Sequence, residues 1–147
     1  MAAKQEQMKK FEFLIGTWDL EYRVPRSAFG KAERGTGSGT CRRALNDKYV
    51  YFDYECQLPS GDGEAHAVFA WDGKANVYRY WWFEDSGSFL TATCDFVGDG
   101  VLCLNWHNAL LTQTFRRESP KRVVLRMDHP DSTGRPETIL EVVLTRR

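Results

Sequence analysis

No Cys-x-x-Cys pair occurs in this 147-residue chain, and its four cysteines (Cys41, Cys56, Cys94 and Cys103) form no close group. In a reducing compartment four buried free thiols are therefore the expectation. There is no excess of charge either: 20 Lys plus Arg balance 20 Asp plus Glu. A nucleic-acid binder needs a net basic face against phosphate, so that class is excluded. No stretch approaches the roughly 18 consecutive apolar residues of a membrane span. Within residues 1–15, Lys4, Glu6, Lys9, Lys10 and Glu12 interrupt any signal-peptide core, and a soluble, cytoplasmic protein is expected.

Motifs that carry chemistry are equally scarce. His66, His107 and His129 are the only histidines, and no H-x-H, H-E-x-x-H or Cys/His cluster includes them, so no metal is expected. There is no G-x-S-x-G elbow, and three scattered histidines define no Ser-His-Asp triad. Asp53 and Glu55 have the parity opposite to Val50, Phe52, Tyr54 and Cys56, which leaves them solvated rather than paired for acid–base work. Arg116, Arg117, Lys121, Arg122 and Arg126 bracket a turn and read as a solvated hairpin.

What the chain does have is aromatic residues, 14% of the total, clustered in segments of strand pattern. Such a surplus must fill something or bind something. Residues 3–14 carry Met8, Phe11 and Leu14 at helical spacing, which predicts one short amphipathic helix. After Gly16 the period changes to two: Trp18, Leu20, Tyr22 and Val24 alternate with polar residues until Pro25. Nine further strand patterns follow, near residues 33–45, 49–57, 64–71, 77–84, 88–97, 101–107, 110–117, 122–128 and 138–146. Short turns such as "PSGDG", "DGKAN" and "DSG" separate them. One domain over residues 1–147 is expected, without repeat or linker.

A ten-strand antiparallel meander hides its edges best by closing on itself, and a barrel of that width leaves a cavity. A two-sheet sandwich could use the same strands, but it usually needs longer connections than these hairpin turns. The expected fold class is therefore all-β: an up-and-down closed barrel with a short N-terminal helix.

The segment "LIGTW", the Gly-rich second strand (Gly35, Gly37, Gly39), "VFAWDG" and "YRYWW" together resemble the calycin superfamily of lipocalins, fatty-acid-binding proteins and nitrobindins. Within it the pattern looks closest to a bacterial family of lipocalin-like barrels. The resemblance implies that the helix closes one end of the barrel. It also implies that Trp18 plugs the floor against an arginine of the last strand, for which Arg146 is the candidate. The last strand, "ILEVVLTRR", lacks the late histidine that holds haem in nitrobindins, so no cofactor is expected.

Strand parity sorts the candidate site residues. If Ser86-Gly87 is a two-residue turn, then Arg79, Trp81 and Phe83 face inward with Leu90, Ala92 and Cys94, and Tyr78, Tyr80 and Trp82 face out. A three-residue loop exchanges the two sets. On the first pairing Arg79 sits in an aromatic cavity and needs an anionic partner, from the protein or from a ligand. The leading reading is a small hydrophobic or amphipathic ligand, anionic if Arg79 meets it. Trp81, Phe83, Tyr54, Phe69, Trp71 and Trp106 would wall it, with Phe52, and Arg79, Tyr22 or Gln113 would orient its polar end. Two rivals stand beside it. One is an enzyme of the same fold using His66 or His107 as acid or base. The other is a self-filled barrel whose outer aromatic row forms a homodimer.

Overall fold

The computed structural model describes residues 2–147, and in it the helical segment is built in two pieces. α1 spans Ala2–Lys9, and a 3-10 helix follows over Lys10–Leu14. The spacing predicts a single helix here. The tighter winding stacks residues three apart, so Phe11 and Leu14 both enter the barrel end, each fully buried.

Ten strands follow: β1 Gly16–Val24, β2 Glu33–Ala44, β3 Tyr49–Leu58, β4 Gly61–Asp72, β5 Val77–Glu84, β6 Phe89–Gly98, β7 Val101–Trp106, β8 Thr112–Ser119, β9 Arg122–Pro130 and β10 Pro136–Arg146. Each pairs antiparallel with the next, and β1 pairs with β10, so the sheet closes into a barrel without edges. The all-β closed barrel expected from the alternation is what forms.

The helical segment covers one end. There Trp18 is fully buried and its Nε1–H donates to the Leu14 carbonyl at 2.8 Å. Arg146, register partner of Trp18, lays its guanidinium 4.3 Å from the indole centroid. It also donates to the carbonyls of Pro120, Phe13 and Ile15. One side chain thus satisfies three carbonyls where helix and strands meet and adds a cation–π contact. Arg43 reaches the Met8 carbonyl at 3.2 Å, and Tyr78 Oη donates to the Gln7 carbonyl at 2.7 Å.

The alternating glycines of β2 make room for rings. A methyl group on Gly39 would lie 2.7 Å from the Phe52 ring, and Gly39 pairs with Trp18 on the other side. Only a residue without Cβ lets the Phe52 ring occupy the interior there.

Strand β5 overturns one expectation. Glu84 N–H donates to the Ser88 carbonyl at 3.1 Å and Gly87 N–H to the Glu84 carbonyl at 3.0 Å, so Asp85-Ser86-Gly87 is a three-residue loop. Gly87, at φ +94°, takes the left-handed conformation such a loop needs at its third position. Trp82 then pairs with Leu90, Tyr80 with Ala92 and Tyr78 with Cys94. These three aromatics point inward, and Arg79, Trp81 and Phe83 point outward. In the β6–β7 hairpin Cys94 pairs with Leu104 and Cys103 with Asp95, which puts the two thiols on opposite faces. All four cysteines are free.

Candidate functional site

Inside the barrel, beyond the floor plug, lies a cavity of about 370 Å³. Its walls come from most of the strands. Leu20 and Tyr22 stand on β1, Phe52 and Tyr54 on β3, Ala67 and Phe69 on β4, Tyr80 and Trp82 on β5, Trp106 on β7, and Gln113 and Phe115 on β8. The remaining wall is aliphatic, with Leu125, Met127, Leu140, Val142 and Leu144 from β9 and β10. The lining includes Leu58, Gly63, Glu64 and Glu84, at the strand ends away from the helix, so the cavity opens toward that end.

Polar groups converge in this apolar space. Trp82 Nε1–H donates to Tyr54 Oη at 2.6 Å. Gln113 is only 4% exposed and lines the cavity. Trp106 Nε1 is buried and unpartnered among the described residues. Burial pushes the Tyr54 phenol up to about 12. Burial first, and then the neighbouring Tyr54, pushes the phenols of Tyr22 and Tyr80 well above their ordinary range. All three tyrosines therefore remain neutral hydrogen-bonding groups at physiological pH.

The residues singled out from sequence divide into two groups. Tyr22, Tyr54, Phe69, Trp106 and Gln113 line the cavity, as does Phe52. Arg79, Trp81 and Phe83 do not: they lie on the outer surface, on the face the three-residue loop gives them. Arg79 Nε donates to Asp72 Oδ2 at 2.7 Å, and this hydrogen bond is the main cause of the lowered Asp72 carboxyl pKa. Its partner is thus a carboxylate of the protein, and among the described residues no Lys, Arg or His lines the cavity. The anionic preference that Arg79 would have conferred loses its basis. Trp71 points inward but packs beside Tyr78 at the helix end, with ring centroids 4.8 Å apart, below the cavity.

Tyr80 and Trp82 are the cavity residues that parity missed. A signal was present: burying Tyr78, Tyr80 and Trp82 hides no charge, whereas burying Val77, Arg79 and Trp81 hides a guanidinium.

The histidines all lie outside the cavity. His66 Nδ1 is 2.5 Å from Asp53 Oδ1, and His107 Nδ1 is 2.7 Å from Thr91 Oγ1. His66 borders an outer groove of about 480 Å³ over β2–β5, with Asp53, Glu55, Glu64 and Phe83. That groove is larger than the interior cavity, yet it is open to solvent and polar, so it would desolvate a ligand far less. Among the described residues no group of three His, Cys, Asp or Glu side chains is arranged to hold a metal ion.

No protein-family model matches the chain, and no curated protein matches it. Solved structures do. The chain is similar to Rv2717c from M. tuberculosis, with a TM-score of 0.67, 9% identity, and coverage of 95% of this chain and 96% of that one. It is also similar to the S-type phycobiliprotein lyase CPES from Guillardia theta, with a TM-score of 0.57, 10% identity, and coverage of 99% and 96%. At such identities the likeness is one of fold, a ten-stranded antiparallel barrel, and it extends over nearly the whole chain.

Proposed function

We propose that this protein binds a small apolar or amphipathic molecule inside its barrel. The observation that carries the reading is the cavity of about 370 Å³, walled by aromatic and aliphatic side chains, with the Gln113 carboxamide and the hydroxyls of Tyr22 and Tyr80 in its lining. Pockets of this size and character enclose small molecules, with apolar walls for affinity and a few polar groups for orientation. A barrel filled by its own side chains would have no such space. The resemblance to lipocalins and fatty-acid-binding proteins agrees with the reading.

The lyase name of one similar structure raises catalysis as a second reading for this fold. The histidines that could serve as acid or base here, His66 and His107, face away from the cavity, so binding is the better-supported function.

Titration with a neutral solvatochromic dye such as Nile red tests the proposal. The wild type should bind it with blue-shifted emission. Ala65→Phe, which projects a ring from the cavity wall between Tyr54 and Glu84, should weaken binding at least tenfold while the thermal melt stays cooperative. Dye binding that survives in a folded Ala65→Phe protein would move the site elsewhere.

A further inference from the structure

The head group of the ligand can be taken further, on the reading that the cavity is the binding site. Gln113 lies on β8 between Leu104 of β7 and Met127 of β9, so neither adjacent strand offers its carboxamide a partner from the cavity side. It is 96% buried and faces the cavity. A buried carboxamide presents an acceptor and two donors in one plane, and leaving them unpaired is costly. Tyr22 and Tyr80 add hydroxyls without protein partners among the described residues, and Tyr54, whose oxygen already accepts from Trp82, has its own O–H to give.

Charge argues in the same direction. An anionic head placed among these groups would be buried without a cation, after passing Glu64 and Glu84 at the rim. A cationic head would find a counter-charge at Glu64 and Glu84 of the rim and none on Gln113, which is neutral. A hydroxyl head presents one oxygen and cannot meet both edges of the Gln113 amide. A carboxamide or lactam can, by pairing N–H to oxygen and oxygen to N–H in the same plane.

We infer that the cavity takes an uncharged ligand with an amide-type head, a primary carboxamide or a lactam, seated on Gln113 with its apolar remainder against the aromatic wall.

Four compounds with one chain and different heads test this: octanamide, octanol, octanoate and octylamine, each read by displacement of Nile red at neutral pH. Octanamide should bind about tenfold more tightly than octanol, the worth of one additional good hydrogen bond, and octanoate and octylamine should bind more weakly still. Gln113→Met keeps the volume and removes the amide; it should erase the advantage of octanamide over octanol. Should that variant fail to fold, the wild type still decides. Octanoate affinity should rise as pH falls through the ligand's own carboxyl pKa, while octanamide, which does not ionise there, stays level. Octanoate or octylamine binding as tightly as octanamide would overturn the inference, as would an amide preference that survives in Gln113→Met. Equal displacement by all four compounds would overturn the head-group assignment alone. Failure of Nile red and all four to bind would overturn the cavity reading with it.

Discussion

The two ends of the barrel interior use the same residue types to opposite effect. At the closed end, the Trp18 indole N–H reaches the Leu14 carbonyl, Tyr78 reaches the Gln7 carbonyl, and Arg146 serves three carbonyls at once. Toward the open end, the buried Trp106 indole N–H has no partner among the described residues, and the Gln113 carboxamide stands in the cavity wall. The closed end is packed; the open end holds a cavity. Buried polar groups in proteins are nearly always paired, so an unpaired one beside empty space marks the place where something else supplies the partner. Satisfaction of polar groups, more than their chemical identity, separates scaffold from site here.

Substitutions can break or sharpen this contrast. Trp18→Ala should show the largest loss, about 3–5 kcal/mol in denaturant melts, as large-to-small core changes do. A melt matching wild type would remove Trp18 from the scaffold. Arg146→Met should cost about 1–3 kcal/mol, because it strands carbonyls at the helix junction. At the open end the sign should change. Gln113→Met replaces a carboxamide in the apolar cavity wall by an apolar side chain of similar size, so stability should hold or rise by up to about 1 kcal/mol even as ligand preference is lost. A clear destabilisation there would make Gln113 a structural residue. Arg79→Met, on the outer surface, should shift stability by no more than about 0.5 kcal/mol and leave dye binding unaltered, since its half-exposed pair with Asp72 is screened by water.

Much of the scaffold was legible in the residues. Alternation in "TWDLEYRV" specified the faces of β1, and Trp18 with Arg146 could be matched because the two strands that close the barrel meet there. Part of the cavity lining was legible as well: Tyr22, Tyr54, Phe69, Trp106 and Gln113 all lie at inward parity. The rest hung on a single residue of loop length. Because side chains alternate with period two, a loop of three in place of two turns an entire strand over. That one residue exchanged Arg79, Trp81 and Phe83 for Tyr78, Tyr80 and Trp82, and took the Arg79 guanidinium out of the barrel interior. Parity also says nothing of depth along the barrel, which is why Trp71 points inward yet lies below the cavity.

The five tryptophans sample every part of the contrast, since Trp18 and Trp71 lie at the closed end, Trp82 and Trp106 at the cavity, and Trp81 outside. Nitrogen-resolved NMR of the indole N–H signals, assigned by single Trp→Phe changes and followed during addition of octanamide, therefore tests the central claim most directly. The account predicts that the Trp82 and Trp106 signals move in a saturable way while those of Trp18, Trp71 and Trp81 stay in place. Saturable movement confined to Trp81, or five unmoved signals at millimolar ligand, would contradict it.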